Sequence, residues 1–179
     1  MSFDIGDTIR SGGNKMNSIF DRCSIRKFKK EALKKEEIDL ILKAAFCAPS
    51  AKNCQPWYFI VTEDPKKLKE LSEFSPYAKL LAQATLGVVV CADTTCNPSL
   101  DYCQQDCAAA TQNMLIEAKE LNIGSCWLGG YPNLDRVQKL KTYFNLPENI
   151  VPLWMVAFGY PDQKQEPKDK FKESKIRYE

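Results

Sequence analysis

The segment Ala48-Pro49-Ser50-Ala51-Lys52-Asn53-Cys54-Gln55-Pro56-Trp57 (48–57) joins a predicted helix to a predicted strand. Apolar residues repeat at helical spacing before it, whereas the residues from Trp57 to Val61 are aromatic and β-branched, which favours a strand. The first proline ends the helix because the residue before a proline avoids helical geometry. The hydroxyl and amide side chains between the two prolines suit a flat, polar-edged ligand, although a capped loop with the tryptophan in the core explains the same residues.

The chain on either side of this segment alternates between helical and strand patterns. We predict a short helix from Met16 through Phe20 and longer ones over 35–47, 65–84 with a break at Ser75-Pro76, 102–121 and 134–144. Strands are predicted over 57–61, 86–92, 125–128 and 153–158, and an extended edge strand over 174–178. This order predicts an α+β or α/β sandwich in which the central strands are continuous apolar runs.

The length of 179 residues fits one domain, which we predict over 16–179. Residues 1–15 show no clear periodicity and are interpreted as a leader, with Met16 as a candidate original start. The Lys-rich tail after Gly159 is too polar to bury much by itself, so we expect it to cover a neighbour or a ligand.

The charge balance excludes several classes of function. Lys and Arg number 25 and Asp and Glu 23, a net charge of +2 that draws the chain to neither nucleic acid nor an anionic membrane. No apolar run reaches the ~18–20 residues that span a bilayer, and the start lacks a secretory apolar region. We therefore expect a cytoplasmic protein without a nucleic-acid or membrane partner.

Histidine is absent, which excludes Ser-His-Asp triads, Cys-His proteases and His-ligated zinc. Eight cysteines are scattered without a CxxC pair, so we expect reduced, mostly buried thiols and no metal site. We assign no catalytic side chain. Any enzymatic chemistry is then expected to reside in a bound cofactor.

Three further motifs have an ordinary and a functional explanation. Arg22 and Arg26, with Ser24 between them, present donors that suit phosphate, but they also suit a solvated surface. Gly129-Gly130 after a strand permits close backbone approach to a ligand, or simply a turn. Lys168 and Lys170 can point the same way in an extended chain and meet a phosphate, or belong to a solvated tail.

Together these elements resemble the nitroreductase family of FMN flavoproteins. The pattern R-x-S-x-R, then A-P-S-A-x-N-x-Q-P-W, G-x-x-W-x-G-G and a late basic motif follow in that order over residues 16–178. The resemblance implies a mostly antiparallel central sheet flanked by helices and a homodimer with two FMN sites at its interface. It also implies that the 174–178 strand is exchanged between subunits and that the long Ala-rich helix lies at the interface.

The resemblance assigns FMN-binding roles to four groups of residues. The groups are the phosphate and ribityl side (Arg22, Cys23, Ser24, Arg26), a segment that reaches the flavin from the partner subunit (Pro49, Ser50, Ala51, Asn53, with Gln55 as ligand or brace), the backbone beside the isoalloxazine ring (Leu128, Gly129, Gly130) and late phosphate ligands (Lys168, Lys170). Cys23 stands where many relatives have Arg or His, and relatives usually have at least one Arg in the late pair.

The implied activity is hydride transfer from NADH or NADPH through FMN to a small-molecule acceptor, such as a nitroaromatic or a quinone, by a ping-pong mechanism. Specialised alternatives within the family are enone reduction, reductive dehalogenation and flavin-consuming cofactor synthesis. From another class, the cysteines leave open a non-catalytic flavin-binding redox sensor. A nucleic-acid-binding protein using the Lys-rich segments is a third hypothesis, which the near-neutral charge disfavours.

Overall fold

A computed structural model describes residues 17–179, so the predicted leader lies outside the described residues. Its centre is an antiparallel sheet of four strands in the order β1-β2-β4-β3. The strands are β1 (Trp57–Thr62), β2 (Leu86–Asp93), β3 (Gly124–Gly129) and β4 (Ile150–Gly159). The four predicted strands and the α+β class are thereby confirmed, with each strand slightly longer than predicted.

Five α-helices surround the sheet in the described part of the chain: α1 (Ser18–Asp21), α2 (Lys35–Phe46), α3 (Pro65–Leu71), α4 (Leu100–Glu120) and α5 (Leu134–Tyr143). Short 3-10 turns occupy Ala51–Asn53, Lys79–Gln83 and Glu173–Lys175. The prediction of one broken helix over 65–84 was wrong. Helix α3 ends at Leu71, and the hydroxyl of Ser75 accepts the Tyr77 amide, a local bond that competes with helical pairing.

The two faces of β2 are both buried, which explains its continuous apolar sequence. Val88 and Val90 belong to the core under α2 and α4, whereas Val89 and Cys91 belong to the core on the opposite face. Period-two alternation across a strand places successive side chains on opposite faces. The Ala-rich helix α4 therefore packs one side on its own sheet, and its role between subunits stays a prediction.

The C-terminal segment predicted as an exchanged strand forms no ladder with another described residue of this chain. Glu173–Lys175 forms a single 3-10 turn, Ile176 after it has an extended backbone, and the residues from Ile176 to Tyr178 are exposed. Strand exchange between subunits stays a prediction. Among residues 17–179, no helix combines the length and the apolar character needed to cross a bilayer.

A buried hydrogen bond ties α4 to the sheet. The indole Nε1 of Trp154 donates to Thr111 Oγ1 at 2.9 Å, and that hydroxyl in turn donates to the carbonyl of Cys107 at 2.8 Å. Thr111 is fully buried and Trp154 is 4% exposed, so the indole N–H has no access to water.

We predict that Thr111→Val lowers the free energy of unfolding by about 1–3 kcal/mol, because it leaves a buried indole N–H without an acceptor. Urea denaturation of the variant measures the loss, and Thr142→Val on exposed α5 is the matched control. Combining Thr111→Val with Trp154→Phe should cost less than the sum of the two single changes. Additive losses would contradict the role assigned to this bond.

Candidate functional site

The segment with the two arginines lies along the outer edge of β3. Ser24 forms a parallel bridge with Ser125, and the Ile25 amide donates to the Ser125 carbonyl at 2.9 Å. Burial raises the pKa of the Cys126 thiol, and the charges of Arg26 and Arg22 act in the opposite direction. Arg22 and Arg26 therefore flank, two residues away on either side, the residue that pairs with the start of β3.

The C-terminal tail runs beside the same segment. The Arg26 amide donates to Gln163 Oε1 at 3.1 Å, and the Cys23 thiol donates to the Gln165 carbonyl at 3.2 Å. Lys168 follows Gln165 by three residues, a reach of at most about 10–11 Å in an extended chain. Lys168 and Lys170 are exposed, and neither forms an ion pair with a described residue. Both ends of the described chain thus bring positive side chains to one region.

The loop after α2 has an unusual backbone. Lys52, Asn53 and Gln55 have φ values of 54°, 56° and 50°, in the left-handed region that non-glycine residues rarely adopt. The Gln55 amide N–H donates to Ser50 Oγ at 2.9 Å, and its side-chain Nε2 donates to Asn53 Oδ1 at 3.0 Å. The side chain of Gln55 is therefore used within the loop, as one of its two predicted roles requires. Such strain is typical of binding sites.

Asp106 of α4 anchors this loop, and the sequence analysis did not single it out. Its Oδ1 accepts the Ala51 amide at 3.0 Å, its Oδ2 is buried without a partner among the described residues, and the residue is 7% exposed. Without the bond to Ala51, both oxygens of this buried carboxyl group would lack a partner, which is costly. The bond therefore holds the loop at a fixed position. An acidic residue at a core position of a helix, next to an Ala-rich stretch, was the available signal.

Gly129 and Gly130 at the end of β3 have different surroundings. A Cβ on Gly130 would lie 2.6 Å from the carbonyl oxygen of Leu153, so packing requires that glycine. A Cβ on Gly129 would meet no atom within 4 Å. The space beside the Gly129 backbone is therefore open, while Leu128 before it is buried in the core.

The loop after α2 and the arginines belong to opposite edges of the sheet. The loop precedes β1, whereas Arg22 and Arg26 lie outside β3, and β2 and β4 separate these two strands. At about 4.8 Å per strand spacing, β1 and β3 are about 14 Å apart, and the arginine segment lies about one spacing further. One chain therefore does not bring these two groups of predicted ligands together.

The comparisons with known proteins agree with this architecture. A model of the Nitroreductase family matches residues 19–160. This chain belongs to the nitroreductase family.

Individual relatives support the membership over most of the chain. A provisionally named NADH dehydrogenase/NAD(P)H nitroreductase of Archaeoglobus fulgidus is 43% identical, and the match covers 92% of this chain and 97% of that protein. An FMN-dependent nitroreductase from Clostridium difficile has a TM-score of 0.84 at 29% identity, over 90% of this chain and 96% of that one. A provisionally named nitroreductase from Desulfovibrio desulfuricans, solved in complex with FMN, has a TM-score of 0.82 at 28% identity, over 92% and 98%.

Other features involve residues that the family resemblance does not single out. An open cleft of about 680 Å³ between α5 and the chain after α3 is lined by Glu73, Phe74, Asp135, Gln138, Lys139, Thr142 and Tyr143, none of which was predicted as a ligand. Within residues 17–179 no group of three His, Cys, Asp or Glu residues is arranged to hold a metal ion. The cysteines of this family member are unpaired in that range.

We predict that Gly130→Ala lowers the free energy of unfolding by about 1–3 kcal/mol because of the clash with the Leu153 carbonyl. Gly129→Ala, the matched control, should leave the unfolding midpoint within about 0.5 kcal/mol of wild type, since its Cβ enters open space. Urea denaturation of both variants measures the difference. Equal losses at the two positions would contradict the assignment of Gly129 to an open face.

Proposed function

We propose that this chain is a homodimeric FMN-dependent oxidoreductase that uses NADH or NADPH to reduce a nitroaromatic or quinone acceptor. The observation that carries the proposal is the continuous edge from Arg22, Ser24 and Arg26 to the open backbone at Gly129. It combines a cationic end with a flat, accessible end on a single strand, which suits a ligand with an anionic group at one end and a flat ring at the other.

The proposed site fits FMN in charge and shape. Arg22 and Arg26 form no ion pair with a described residue, so their guanidinium groups have donors left for a phosphate. Ser24 adds a hydroxyl, Cys23 its backbone, and Lys168 and Lys170 reach the same region from the tail. From Ser125 to Gly129 the strand advances about 13 Å at roughly 3.3 Å per residue. The run from Leu128 to Gly130 then lies beside the ring.

The protein's contribution to the reaction is binding and orientation. FMN, when bound, supplies the hydride chemistry by accepting a hydride from NAD(P)H and passing it to the acceptor after the nicotinamide leaves. The arginines hold the phosphate end, and the open space at Gly129 leaves room for both substrates in turn. A side-chain acid or base is not required for hydride transfer, which agrees with a sequence without histidine.

We propose that the loop with Pro49, Ser50, Ala51, Asn53 and Gln55 completes the site of the partner subunit. The separation of the two sheet edges supports this arrangement, because the loop and the arginines do not meet within one chain. The left-handed residues of the loop and its anchor to Asp106 support a preformed binding surface. FMN binding and dimerisation are then coupled.

Purified protein should be yellow, and anaerobic NADH or NADPH should bleach its flavin absorbance. Added nitroaromatic or quinone should restore the oxidised spectrum. Flavin that stays oxidised with both nicotinamides would favour the redox-sensor hypothesis. Protein that binds no flavin at all would contradict the proposed function.

Mixed dimers test the shared site. Arg22→Ala/Arg26→Ala in one chain and Asn53→Ala in the other should each abolish most flavin binding as homodimers. Co-expressed with different affinity tags, the heterodimer should recover flavin in one of its two sites, because one site receives both lesions and the other receives none. Heterodimers without flavin would show that each site lies within a single chain.

A further inference from the structure

Arg136 is held beside the open backbone at Gly129. Its Nη1 donates to the Gly129 carbonyl at 3.2 Å, while its own amide donates to Asn133 Oδ1, which caps the start of α5. The guanidinium group therefore lies at the rim of the proposed ring position, although Arg136 follows Gly129 by seven residues in the sequence.

Tyr77 supports the guanidinium from a second element. The Arg136 Cζ atom lies 5.8 Å from the centre of the Tyr77 ring, a cation–π arrangement. The tyrosine is 73% exposed, so core packing does not explain its position. The ring limits the orientations of the guanidinium and leaves its edge free for a ligand.

The charge of Arg136 is uncompensated locally. Arg136 forms no ion pair with a described residue, in contrast to Lys79, two residues after Tyr77, which pairs with Glu73. Guanidinium has five N–H donors, and one described bond uses one of them. The remaining donors form the planar fork that binds phosphate oxygens in pairs.

We propose that Arg136, oriented by Tyr77, binds a phosphate group of the NAD(P)H donor while the nicotinamide lies over the open face at Gly129. The inference rests on the proposed function and adds a donor-specific residue to it. Nitroaromatics and quinones carry no phosphate, so Arg136 should act in the half-reaction with NAD(P)H and not in the half-reaction with the acceptor. The phosphate is either the diphosphate that both nicotinamides share or the 2′-phosphate of NADPH alone.

The test is anaerobic stopped-flow reduction of the flavin-loaded protein. For Arg136→Gln we expect the Kd of the donor to rise about tenfold, the size of one charge-assisted hydrogen bond, with the limiting rate of reduction little changed. Arg136→Lys should rescue part of the loss. If Arg136→Gln weakens the binding of NADPH alone, the phosphate bound by Arg136 is the 2′-phosphate. If it weakens the binding of both donors, that phosphate is the diphosphate.

Three controls separate this role from other effects. Lys139 lies one turn after Arg136 on α5, has the same charge and forms no hydrogen bond to Gly129. Lys139→Ala should therefore change the donor Kd less than about twofold. Tyr77→Phe keeps the ring and should resemble wild type, whereas Tyr77→Ala should weaken donor binding. Reoxidation of Arg136→Gln by a quinone should keep the wild-type rate.

One result would overturn the inference and leave the proposed function intact: Arg136→Gln protein that holds its flavin and binds NADH and NADPH with the wild-type Kd. An equal loss in Arg136→Gln and Lys139→Ala would also overturn it, because the effect would then be general electrostatics. Wild-type protein without bound flavin would overturn the proposed function itself.

Discussion

The outer edge of β3 is the constraint on which the rest of the molecule depends. An edge strand exposes unpaired amide and carbonyl groups, and a protein has to cover or protect them. Here the chain around Ser24 and Ile25 pairs with Ser125, and the tail from Pro161 to Gln165 lies over that segment. Covering this edge is what brings both ends of the described chain, with their cationic side chains, to the same strand.

The opposite edge of the sheet is not covered in the same way. In the described residues no strand pairs with the outer side of β1, where Tyr58 and Val61 are 47% and 38% exposed. The strained loop that precedes β1 lies at this open edge.

Periodicity was sufficient to predict the sheet because its strands are apolar runs bounded by breakers. It failed between residues 72 and 78, where a Ser75 hydroxyl bond and Pro76 replace helical pairing over a stretch whose composition still suits a helix. Motif spacing singled out the arginines, the loop and the glycines as candidate ligands. It did not reveal that Gln55 and Lys52 have left-handed backbones, since neither residue type favours that conformation.

The residues that sequence reasoning missed act through contacts between distant parts of the chain. Asp106 reaches a loop 55 positions earlier, and Arg136 becomes distinctive only because Gly129 and Tyr77 lie next to it. Neither has a local motif. Their positions follow from where α4 and α5 pack on the sheet.

Two buried cysteines, Cys91 in β2 and Cys107 in α4, also owe their properties to packing. Burial raises the pKa of the Cys91 thiol to about 12, and it raises that of Cys107 in the same direction. Such thiols stay protonated near neutral pH, where only the thiolate is an effective nucleophile. Cys107 fills the core between β2 and α4, and Cys91 fills the core on the opposite face of the sheet, so both thiols serve packing there. Histidine is absent from the sequence as well, so neither an imidazole nor these two buried thiols is available as an acid or a base in the reaction proposed above.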